Sequence, residues 1–102
     1  MVDEISIKRQ QLAGLCRQHH VLGLALFGSA LREDFSPSES DIDLVVEFEA
    51  LSPGEYAENY FSFQRSLASL FDRRVDLVSL RSVRNPYFLK EIEATKVNLY
   101  AA

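Results

Sequence analysis

The 102-residue chain has one cysteine, three prolines, four glycines and no long apolar run. A lone Cys16 cannot form an internal disulfide, which agrees with a reducing compartment and makes the residue a core candidate. Few glycines and prolines, with 47% hydrophobic and 25% charged residues, exclude a disordered or low-complexity chain. No apolar run approaches the roughly 18 residues that cross a bilayer, and the opening "MVDEISIKRQ" is too polar for a signal peptide. A cytoplasmic protein with no membrane role is therefore expected. The length fits a single domain, 1–102, so any substrate site must be open.

Positive charge is also in short supply. The net charge of -4 argues against direct, backbone-driven nucleic-acid binding, which needs a broad basic face. The imbalance is local: residues 1–64 carry four Lys/Arg against eleven Asp/Glu, and residues 65–102 carry seven against four, including Arg65, Arg73, Arg74, Arg81 and Arg84. A solvated basic face explains this simply, and a docking surface is the sharper alternative.

Apolar residues at Ile5, Leu12, Leu15 and Cys16 predict an amphipathic helix over residues 4–20, ended by Gly23, with a buried strand in "LGLALF". The adjacent His19 and His20 cannot both face one metal from a helix and are expected as helix-end residues near the negative end of the dipole. "DIDLVVEF" predicts a strand with Asp41, Asp43 and Val45 on one face and Ile42, Leu44 and Val46 on the other. "SPGE" opens a helix with a Ser cap, Pro at its first position and Glu three residues after the cap. Tyr56, Tyr60, Phe63, Leu67 and Leu70 give that helix a stripe expected to face the core. "RVDLVSL" predicts a third strand, Asn85-Pro86 a last helix to about residue 94, and "KVNLY" a final strand. The order implies an α/β (α+β) fold with helices packed on a small mixed sheet.

Asp41 and Asp43 leave the same face of a strand, with backbones about 6–7 Å apart. Two crowded like charges favour a cation between them, and Mg²⁺ takes carboxylate oxygens with phosphate oxygens completing its shell. Asp76 enters the third strand at a similar depth, and adds a third carboxylate if that strand neighbours the Asp41 strand. Three aspartates suit a two-metal nucleotidyl or phosphoryl transfer site. Gly28-Ser29 at a strand end supplies the complementary half: a close backbone approach to phosphate, a hydroxyl donor, and Arg32 within reach of the same anion.

"GSALREDFSPSESDIDLVVEF" followed by "RRVDLVSL" resembles the minimal nucleotidyltransferases (MNT), the smallest members of the DNA polymerase β-like nucleotidyltransferase superfamily. The likeness covers roughly residues 22–100. Glu33 stands where small members often carry Gly, and "FSPSES" makes a different loop. The resemblance implies a polymerase β-like fold and nucleotide binding at Gly28, Ser29 and Arg32. It also implies Asp41 and Asp43 as ligands of two Mg²⁺ ions, with Asp76 as the third carboxylate that positions or deprotonates the attacking hydroxyl. Members of this size are commonly MNT antitoxins paired with a HEPN-domain ribonuclease toxin. The implied reaction is AMP transfer from ATP to a toxin tyrosine. A non-catalytic antitoxin that acts by contact, and a subunit of an antibiotic-modifying nucleotidyltransferase, are the alternatives.

Overall fold

The computed structural model describes residues 7–28 and 42–102. Expectations for Ser29, Arg32 and Asp41 lie outside the described residues. The elements are α1 (Arg9–Gln18), β1 (Val21–Phe27), β2 (Ile42–Phe48), α2 (Pro53–Phe71), β3 (Val75–Ser79), a 3₁₀ turn (Leu80–Ser82), α3 (Pro86–Thr95) and β4 (Val97–Ala101). The strands form one sheet in the order β3-β2-β1-β4, with β2 and β3 parallel and β1 antiparallel to both of its neighbours. This is the small mixed sheet with helices against it that the pattern predicts. Among the described residues no helix is long and apolar enough to cross a membrane.

The helix starts are built as their sequences dictate. Ser52 Oγ accepts the Glu55 amide at 3.4 Å, and the Glu55 carboxylate accepts the Ser52 amide at 3.4 Å, so the capping box closes on both sides. Asn85 Oδ1 accepts the amides of Tyr87 at 2.9 Å and Phe88 at 3.3 Å, and Pro86 sits at the first helical position of α3. Asp72 ends α2 in the left-handed region, φ 51°, returning its amide to the Ala68 carbonyl.

The principal core lies between α1, α2 and one face of the sheet. Phe63, Leu67 and Phe71 project from α2 onto Ile42, Leu44, Val46 and Phe48 of β2, with Leu12 and Cys16 of α1 closing the layer. Phe48 stands edge-on to Tyr56, Tyr60 and Phe63, at ring separations of 5.5, 6.5 and 5.8 Å. The stripe on α2 is core, as its spacing predicts. Cys16 is fully buried, and burial pushes its thiol from the ordinary 9.0 up to about 12.

Two details differ from the sequence reading. Gly23 does not end α1; it lies within β1, paired with Glu47 and Ala101. The left-handed residue is His20, φ 60°, because Val21 is already buried in the core and the chain must turn before it. His19 is at the helix end as expected, but it is buried and ties α1 to α2. Its Nδ1 lies 2.8 Å from the Leu15 carbonyl, which can only accept, so Nδ1 carries the proton. In the neutral ring Nε2 then accepts from the Ser62 hydroxyl at 3.2 Å, while Asn59 Nδ2 donates to the His19 carbonyl at 2.7 Å.

The outer edge of β3 is covered by α2. Carbonyls of alternate residues face away from β2 along this edge. Gln64 Nε2 donates to the Val75 carbonyl at 3.0 Å, Tyr60 Oη donates to the Leu77 carbonyl, and Tyr56 Oη bonds Ser79 Oγ at 2.6 Å. Three side chains four residues apart on a helix thus meet three residues two apart on a strand. Gln64 and Tyr60 thereby occupy two backbone carbonyls that would otherwise template a further strand. Burial, then the charge of Asp76 and then Tyr56 raise the Tyr60 phenol above its ordinary value.

Two outcomes follow. Phe63→Ala should cost roughly 3–5 kcal/mol in chemical denaturation, because the ring is fully buried among rings that cannot collapse onto the gap. The raised Cys16 pKa means that the folded state keeps its proton while the unfolded thiol loses it. The corresponding stability is complete below 9.0 and falls as pH climbs toward about 12. Iodoacetamide near pH ~8 should therefore leave native Cys16 unmodified and alkylate it in denaturant.

Candidate active site

The parallel pairing of β2 with β3 builds the site. Ile42 N–H donates to the Arg74 carbonyl at 3.0 Å, fixing the strand starts together, and the register then sets Asp43 directly beside Asp76. Adjacent strands lie about 4.8 Å apart, so the two backbones are that close. Ile42, Leu44, Val75 and Leu77 are buried against the helices, so the period of two turns Asp43 and Asp76 to the opposite face. Asp76 is exposed and Asp43 half-buried. The condition on which a third carboxylate depends, that β3 neighbour β2, is met.

β1 supplies the other wall. Its last residue, Phe27, pairs with Asp43, and Gly28 follows with φ +72°. A Cβ built on Gly28 would lie 2.5 Å from Asp43 Oδ2, closer than real contacts allow. The glycine is thus required twice, for its left-handed backbone and for its closeness to the carboxylate. Of the expected site, the structure brings together Gly28, Asp43 and Asp76; Ser29, Arg32 and Asp41 lie outside the described residues.

The chemistry of this donor set suits a hard divalent cation. Two carboxylates side by side supply oxygen ligands and neutralising charge, and such an ion takes phosphate oxygens to complete its shell. Among the described residues, which do not include Asp41, no group of three His, Cys, Asp or Glu is gathered for a metal. A cavity of about 170 Å³ on the same sheet face, lined by Gly23, Val45, Glu47, Lys96 and Asn98, does not include Asp43 or Asp76.

One component was not visible in the sequence. Phe88, in the first turn of α3, stands edge-on to Phe27 with ring centroids 5.9 Å apart, placing an aromatic pair beside Asp43. Phe27 could have been noticed as the residue before Gly28. Phe88 has no local signal, because its position depends on α3 crossing the sheet.

Comparison with known proteins bears on the family and the fold. The family model described as "Polymerase beta, Nucleotidyltransferase" matches residues 10–102. Two proteins of Methanocaldococcus jannaschii named as protein adenylyltransferases are 35% identical over 92 residues and 34% over 87. The alignments cover 90% and 85% of this chain and 88% and 85% of theirs. A solved structure described as a minimal nucleotidyltransferase superposes with a TM-score of 0.76 at 26% identity, covering 93% of this chain and 92% of its own. A Shewanella oneidensis structure of a tri-AMPylated HEPN toxin in complex with an MNT antitoxin shares the fold, with a TM-score of 0.65 at 24% identity. That match covers 96% of this chain and 73% of the matched one.

Gly28→Ala should lower stability by about 1 kcal/mol through the positive φ and push the Asp43 carboxylate from its place. Denaturation measures the first effect. Weakened Mn²⁺ binding, followed by paramagnetic resonance, measures the second.

Proposed function

The chain belongs to the polymerase beta nucleotidyltransferase family, and from that premise we propose that it transfers AMP from ATP to a tyrosine hydroxyl of a HEPN-domain toxin, as the antitoxin of that pair. Nucleotidyl transfer is the family's chemistry. The relatives named protein adenylyltransferases support a protein acceptor and an adenylyl donor. The neighbouring toxin-antitoxin complexes, one of them solved with AMP-PNP, support the HEPN partner and ATP. The observation that carries the reading is the Asp43–Asp76 pair in register beside Gly28.

Asp43, with Asp41 and Asp76, would hold Mg²⁺, two ions in the full set. The metal when bound supplies charge neutralisation on the triphosphate and a lowered pKa for the acceptor hydroxyl. The chain's own groups do the rest. Gly28 would offer its backbone to the phosphates, and Ser29 and Arg32 would add a hydroxyl and a guanidinium to them. Asp76, exposed on the edge strand of the pair, would orient the acceptor hydroxyl and take its proton.

The test is transfer from α-labelled ATP to the co-purified HEPN partner in the presence of Mg²⁺. Asp43→Asn and Asp76→Asn should each reduce labelling at least about 10²–10³-fold, the scale of losing one preorganised electrostatic group, with the fold intact by circular dichroism. Asp41→Asn should match them. Unchanged labelling by the Asp43 variant would overturn the assignment. Full toxin inhibition without ATP, together with no labelling, would establish neutralisation by contact instead.

A further inference from the structure

Between Asp76 and Glu91 the sequence has three basic residues, Arg81, Arg84 and Lys90, and no acidic one, in a chain whose net charge is -4. The fold brings this stretch back across the sheet face that carries Asp43 and Asp76. Leu80 and Val83 turn inward onto the cluster of Ala25, Val45 and Ile92, and Phe88 turns inward onto Phe27. Arg81 and Arg84 turn outward and are exposed, as is Lys90 on α3, and none of the three pairs with a carboxylate among the described residues. Tyr87 is 83% exposed, and Phe88 remains 40% exposed despite its contact with Phe27.

Large aromatics left in water beside arginines are the residue types that anchor protein interfaces. Their position is specific: Phe88 leans on Phe27, the residue that pairs with Asp43, so a ring seated on this pair lies near that carboxylate.

We infer that residues 80–90 form the acceptor-docking ledge: it receives a tyrosine-bearing acidic segment of the partner protein, the tyrosine ring packing against Phe88 and Phe27 while Arg81 and Arg84 bind the flanking carboxylates. The inference rests on the adenylyl-transfer reading and names the partner segment by its chemistry. Charge complementarity selects an acidic segment, because the ledge is basic while the chain as a whole is acidic. Edge-to-face packing of the acceptor ring on Phe88 would hold the phenol in line for attack. In the transfer the tyrosine Oη bonds the α-phosphorus, the bond from that phosphorus to the oxygen bridging to the β-phosphate breaks, pyrophosphate leaves with that electron pair, and the phenolic proton passes to Asp76.

The experiment compares two synthetic peptides as acceptors, a tyrosine flanked by glutamates and a tyrosine flanked by lysines, and also as competitors against the HEPN partner. The glutamate peptide should compete at least about tenfold better, and Arg81→Glu with Arg84→Glu should reverse the order. Phe88→Ala should raise KM for the partner about tenfold while leaving KM for ATP unchanged. Phe61→Ala, a 55% exposed ring on α2 at the opposite face, should move neither. Equal competition by the two peptides, competition by neither, or a raised KM for ATP in the Phe88 variant would overturn the ledge, the last by making it a nucleobase or phosphate site. Absence of transfer from the wild-type chain to its partner would overturn the parent reading, whereas transfer indifferent to these substitutions would overturn the ledge alone.

Discussion

The site depends on the parallel pairing of β2 with β3. One backbone hydrogen bond, from Ile42 to the Arg74 carbonyl, sets the register, and the register sets Asp43 beside Asp76. A slip of one residue would turn one of the two carboxylates into the core. The register is held from the buried side, where Ile42, Leu44, Val75 and Leu77 have only one apolar face to occupy. It is held from the edge as well, where Gln64, Tyr60 and Tyr56 of α2 grip alternate residues of β3. Placement of the carboxylates is therefore a consequence of packing on the other side of the sheet.

The two faces of the sheet divide the work. The helix-covered face holds nearly all of the large buried side chains, among them Phe63, Phe71, Leu26 and Leu44. The opposite face has a smaller cluster of Ala25, Val45 and Ile92 under the short α3. Gly28, Asp43 and Asp76 meet at the end of the sheet beyond that cluster. The charged site thus lies off the face on which the burial of large side chains is concentrated.

Much of the fold is legible in the sequence where a local chemical rule applies. The Ser52–Glu55 box, Asn85-Pro86, the period of two in "DIDLVVEF" and the period of the α2 stripe each specify their element without outside help. Gly23 misleads because a glycine after a helical pattern fits a helix end and a strand equally well, and the burial of Val21 decides between them. His19 reads as a helix end, but its bond to Ser62 is a long-range fact with no local trace. The site divides in the same way. Gly28, Asp43 and Asp76 are visible as strand-end residues, whereas their adjacency needs the strand order, and the Phe27–Phe88 pair needs the path of α3.

The most direct test of the central claim is anomalous diffraction from crystals grown with Mn²⁺ and a non-hydrolysable ATP analogue. Manganese peaks bound by the carboxylates of Asp43 and Asp76, with the triphosphate against Gly28, are expected. Manganese bound elsewhere, or a nucleotide seated away from this carboxylate pair, would contradict it.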